Sequence, residues 1–205
     1  MESLVGFLLL FPIFMAAVVV HEVSHGWAAL ALGDRTALVA GRLTLNPFKH
    51  MDPVGTLALP LMLLLVRSPF VFGWAKPVPV NVVNLRRPKR DMLWVGAAGP
   101  TANFTLAVLA ALFLKLVGPS APSFVAAGVK YLILINLVLG VFNLIPIPPL
   151  DGSRILTGLL PVRFMSVMLV LERWGFVIVF LLLYLGIIGK VLSPLVDWCA
   201  RTLGI

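Results

Sequence analysis

The 205-residue chain is poor in charge, poorest in acidic side chains, and nearly without cysteine. Only 12% of its residues are Asp, Glu, Lys or Arg, against 60% hydrophobic residues and a mean hydropathy of +1.07. That leaves too little polar surface to cover a soluble globule of this size, so a lipid bilayer is the expected surrounding. The one cysteine, Cys199, excludes an intramolecular disulfide and sits in no metal or redox motif. Lys and Arg outnumber Asp and Glu by 16 to 8, but they are scattered between apolar runs and form no dense basic patch interleaved with aromatics. Nucleic acid is therefore not an expected partner, and the net charge of +8 reads as membrane topology and contact with acidic lipid. The first apolar run lacks a basic start and an A-x-A-like cleavage site, so it is expected to persist as a helix. No stretch is long and polar enough for a separate soluble domain, and residues 1–205 read as one integral-membrane domain.

What the chain does have is apolar length. Leu4 to Leu32 reads as a spanning helix ended by Gly33 and Asp34, and Met92 to Val117, Val129 to Ile147 and Leu171 to Ile188 read as three more. Val54 to Val66 offers only 13 apolar residues between Pro53 and Arg67, where a crossing needs roughly 17 to 25. Thr36 to Asn46 has short β-like pieces with Gly41, predicting a small hairpin that could lend an edge strand to an unwound substrate. Gly73 to Arg90 carries three prolines and must be extended and partly wet. The segment from Ser193 to Leu203 is expected on the membrane surface. The predicted fold is thus an all-α polytopic membrane protein with about four full spans, one short or re-entrant segment, and a hairpin near 36–46.

Charge orients these segments. Arg35, Arg42 and Lys49 follow the first span and no basic residue precedes it, so its C-terminal end is expected in the cytoplasm. If Val54 to Val66 re-enters, 12 of the 16 Lys and Arg lie on the cytoplasmic side; if it crosses, only 7 do. Re-entry is favoured.

The second half of the first span contains His21-Glu22-Val23-Ser24-His25. Histidines four apart on a helix share one face one turn apart, the spacing that lets two imidazoles bind one zinc ion, with Glu22 beside them as general base. Ionisable groups at membrane depth are costly unless paired, wet or metal-bound, which opposes a purely structural role. A catalytic zinc takes three protein ligands, and the remaining candidates are His50, Glu2, Asp34, Asp52, Asp91, Asp151, Glu172 and Asp197. Asp151 stands out because it follows a helix broken by Pro146, Pro148 and Pro149 and precedes Gly152, the lesser alternative being that it merely caps the next helix.

Three motifs together, HEVSH, GPTAN (Gly99 to Asn103) and NLIPIPPLDG (143–152), resemble the site-2 protease family of intramembrane zinc metalloproteases. The runs LNPFKHMDPVGT and FGWAKPVPVN are similar to those of its compact bacterial and archaeal members, which lack a PDZ domain. The resemblance covers most of the chain. It implies one zinc ion on His21, His25 and Asp151, Glu22 as catalytic base, and Asn103 and Asn143 near substrate or oxyanion. It further implies transmembrane protein substrates and a place in a prokaryotic plasma membrane. The usual NPDG of the family stands here as PPLDG, with the asparagine displaced to Asn143. The chemistry expected is hydrolysis of peptide bonds in or near transmembrane segments by zinc-activated water. A transporter or channel using the same residues as an ion path, or an inactive scaffold, are the competing readings.

Overall fold

In a computed structural model, which describes residues 2–66, 73–117 and 120–205, the first apolar run forms α1 (Glu2–Ala31). Gly33, at φ 113°, ends it, and the Asp34 N–H turns back to the Ala29 carbonyl at 2.9 Å. Among the described residues, four helices are long and apolar enough to cross a membrane: α1 over Leu9–Ala31, α4 (Pro88–Val117), α5 (Ser123–Asn143), and α7 (Met165–Tyr184) over Ser166–Tyr184. The expected all-α polytopic class is what the chain adopts. Arg67, used as a boundary above, lies outside the described residues.

No hairpin forms at 36–46, and the described residues contain no strand. Local hydrogen bonding overrides β propensity there. The Asp34 carboxylate accepts from Thr36 N–H at 3.0 Å, which starts the single turn α2 (Thr36–Val39). Gly41, at φ 62°, closes it, with the Arg42 N–H reaching the Ala37 carbonyl at 2.9 Å. The short apolar segment is helical over Pro53–Leu65, its second half being α3 (Leu59–Leu65), and at thirteen residues it stays below the length of a full crossing. The final span starts earlier than expected, at Ser166 instead of Leu171, and ends earlier, at Tyr184, with Glu172 and Arg173 inside it. The C-terminal segment packs against the helices. It forms α8 (Ile187–Leu203), whose Val196 is buried among Ala107, Ala110 and Ala111 of α4 and Ile133 and Leu137 of α5.

Lipid offers no hydrophobic drive for helix pairing, so these contacts rely on close packing through small side chains. The three alanines of α4 serve that purpose, as does Gly140 of α5, which lies against the Phe104 ring. From Gly73 to Asn81 the chain runs as an extended strap. Alternate N–H groups face inward: Trp74 donates to the Gly55 carbonyl at 3.1 Å, Lys76 to the His50 carbonyl at 2.8 Å, and Val78 to Glu22 Oε2 at 2.8 Å. Pro77 and Pro79, on either side of Val78, have no N–H to leave unsatisfied.

The fully buried Asp34 ties the end of α1 to this strap, accepting from Asn81 N–H at 2.7 Å and Asn84 Nδ2 at 3.0 Å. Burial opposes its ionisation, but the hydrogen bonds from Thr36, Asn84 and Asn81 outweigh it and hold the carboxyl below the usual carboxylate range. A depressed folded pKa means its stabilisation is present above the unfolded value of about 3.9 and is lost as pH falls through the folded one. Asp34→Ala is expected to lower stability by about 2 to 3 kcal/mol. Thermal unfolding in detergent at pH 7 and at pH 3 checks this, since the gap between wild type and variant should narrow at the lower pH.

Candidate metal centre

His21 and His25 project from one face of α1 toward α4. Behind them, His21 Nδ1 is 2.6 Å from Asn103 Oδ1, and His25 Nδ1 is 2.6 Å from the Val95 carbonyl oxygen. Both facing atoms are acceptors, so both Nδ1 atoms carry hydrogen. The Asn103 orientation follows from its own Nδ2, which donates to Asn136 Oδ1 at 2.7 Å. As neutral rings, the two imidazoles therefore turn Nε2 lone pairs toward a shared point.

The third group arrives from 126 positions along the chain. After α5, the Pro146, Pro148 and Pro149 run turns the backbone, and Asp151 is the first residue of α6 (Asp151–Leu159). A side chain at Gly152 would clash with the Leu144 carbonyl, so glycine there lets the turn close tightly enough to bring Asp151 inward. Arg154 Nη1 holds Asp151 Oδ1 at 3.2 Å, leaving Oδ2 to face the histidines.

Asp151 Oδ2 lies 3.0 Å from His21 Nε2 and 3.1 Å from His25 Nε2, and the two Nε2 atoms are 3.1 Å apart. All three residues are buried, and Oδ2 has no hydrogen-bond partner. Three inward-facing acceptors at such separations repel one another unless a cation sits among them. A tetrahedral ion with bonds of about 2.0 Å sets its ligands about 3.3 Å apart, close to these edges. Two imidazole nitrogens and a carboxylate oxygen suit zinc and leave its fourth position open. Gly99 completes the cradle. A Cβ there would clash with His25 Nε2 and come within 2.6 Å of His21 Cε1.

Glu22, the expected base, points to the strap and accepts the Val78 N–H. Of the two asparagines, Asn103 is fully buried behind His21, with both ends of its amide bonded inside the protein. Asn143 is not brought to the cluster's hydrogen bonds; its Nδ2 donates to the Leu139 carbonyl of its own helix at 3.0 Å. His50 is buried elsewhere, its Nε2 being 2.8 Å from the Thr44 carbonyl. The sequence reading missed Asn136, fully buried at the end of the Asn136–Asn103–His21 chain. Its signal was available, since a carboxamide inside an apolar spanning helix demands a partner.

Fold and site together define a polytopic membrane protein built around a buried centre of metal-ligand type. Residues 115–185 match the model of Peptidase family M50. Over 86% of this chain and 80% of its own length, YwhC of Bacillus subtilis is 41% identical. Rip2 of Mycolicibacterium smegmatis is 30% identical over 96% of this chain and 74% of its own. MJ0392 of Methanocaldococcus jannaschii is 24% identical over 80% and 38%. The names of all three include the words zinc metalloprotease. No solved structure matches the chain. This chain belongs to peptidase family M50, the site-2 protease family of zinc metalloproteases.

Proposed function

We propose that this zinc metalloprotease cuts peptide bonds in or near the transmembrane segments of other membrane proteins, with the metal on His21, His25 and Asp151 and Glu22 as general base. The observation that carries the reading is the buried triangle of two imidazole nitrogens and one carboxylate oxygen, beside helices of spanning length, with an acid next in sequence to the first ligand. Zinc bound there supplies a Lewis acid that brings the pKa of water towards about 7. The Val78 N–H holds Glu22 Oε2 and leaves Oε1 to take a proton from the attacking water and return it to the leaving amine. Asn103 acts from behind, fixing the His21 ring through Nδ1.

Two grooves flank α1 beside the cluster and share Val20, the neighbour of His21. One, of about 380 Å³, runs between Met15, Val19, Leu45 and Phe48; the other, of about 480 Å³, runs along Trp94, Ala98 and Ala102 of α4. Both are lined chiefly by apolar side chains, as suits a peptide arriving from lipid. Such a peptide must unwind before its amide bond is open to attack. The charge distribution and the short Pro53–Leu65 segment favour a cluster towards the cytoplasmic side of a plasma membrane.

The test uses the purified chain in proteoliposomes with a single-span substrate. One zinc per chain is expected, with cleavage lost on chelation and regained on adding zinc. Metal flux across the vesicle without cleavage would instead establish the transport reading, and a zinc-free, inactive protein the scaffold reading.

A further inference from the structure

Inside α7, Glu172 and Arg173 are the seventh and eighth residues of the span Ser166–Tyr184, roughly 10 Å from its first residue at 1.5 Å per residue. Both side chains are exposed, and neither has an ion-pair or hydrogen-bond partner among the described residues. Charges at such a depth are rare and ordinarily paired. They do not satisfy each other, because adjacent residues on a helix point about 100° apart. Nor does the rest of the fold reach them. The side of α7 that meets the protein is marked by Gly175, where a Cβ would clash with the Pro148 carbonyl, and by Val179, buried with Leu150 and Ile188. Leu169 and Phe176, which are 63% and 59% exposed, lie on a line turned away from that side, with Glu172 on its nearer flank and Arg173 on its farther one.

We propose that this face of α7 docks on a second copy of the same chain. All copies insert with one orientation, so a two-fold axis along the membrane normal keeps α7 of each at equal depth. That axis sets Glu172 against Arg173 of its partner and Arg173 against Glu172, making two reciprocal ion pairs from one patch. Opposite charges at adjacent positions are self-complementary under this symmetry. A different partner would need the matching pair at the same depth by coincidence. Leu169 and Phe176 supply apolar contact around the pairs.

The experiment reconstitutes the full chain in lipid vesicles, with donor- and acceptor-labelled copies, and follows energy transfer as protein is diluted in lipid. Wild type is expected to associate, and Glu172→Arg and Arg173→Glu alone are each expected to weaken association at least tenfold, since each sets like charges face to face. A mixture of those two variants is expected to pair with near wild-type strength, because the combination again meets opposite charges. That rescue separates docking from misfolding. Wild type that stays monomeric at every dilution, or single variants that associate as wild type does, would overturn the proposal. It would fall equally if the chain proved monomeric and the variants lost only substrate cleavage, which would make the substrate helix the partner.

Discussion

Glu22→Gln is expected to slow peptide-bond cleavage by about 10³-fold or more while leaving zinc content at one per chain. Glutamine keeps the shape and an acceptor oxygen for the Val78 N–H, so the strap should stay in place. What it lacks is the capacity to accept a proton from water and deliver it to the departing nitrogen. The decisive pair of measurements is therefore cleavage rate and metal content on the same preparation. Full zinc with lost cleavage assigns Glu22 to proton transfer; cleavage near the wild-type rate would remove it from the mechanism.

Gly99→Ala should be nearly as damaging from the opposite direction, with zinc affinity falling by about 10- to 100-fold and activity falling with it. One added methyl group enters the space of the His21 and His25 ring edges. Neither ring can swing aside freely, since Asn103 holds one Nδ1 and the Val95 carbonyl the other. Overpacking of this sort usually costs about 1 to 3 kcal/mol, and here the strain falls on the ligand atoms themselves. Gly128→Ala is the control, because its Cβ would meet only Ile13 Cδ1 at an ordinary 3.7 Å. Zinc content after graded exposure to a chelator distinguishes the two variants. Equal retention in both would show that the glycine does not shape the cluster.

These expectations draw unequally on sequence and structure. The His21 and His25 pair was legible because its geometry is local: a helix of 3.6 residues per turn stacks positions four apart, whatever surrounds it. Spanning helices were legible for a similar reason, as apolar length alone sets what a bilayer accepts. Element ends were less so. The last span was expected from Leu171 to Ile188, whereas the helix of spanning length runs over Ser166–Tyr184, because apolar residues on both sides of a boundary leave its position open. The hairpin at 36–46 failed because Asp34 and Gly41 each impose a turn through one or two specific hydrogen bonds that a propensity pattern does not register. Asn143 was singled out by its motif, yet its amide turns back on its own helix, while Asn136 lies in the buried chain that ends on His21.

By itself, then, the sequence determined a membrane-embedded, all-α chain with two histidines one turn apart on a helix face, because periodicity and hydrophobicity act over a few neighbouring residues. Only the tertiary structure decided that Asp151 completes the triangle, that Asn103 and Val95 fix the ring hydrogens, and that Gly99 makes the space. Those contacts join residues 70 to 130 positions apart, and their distances depend on how α1, α4 and α6 pack together, which no local pattern encodes.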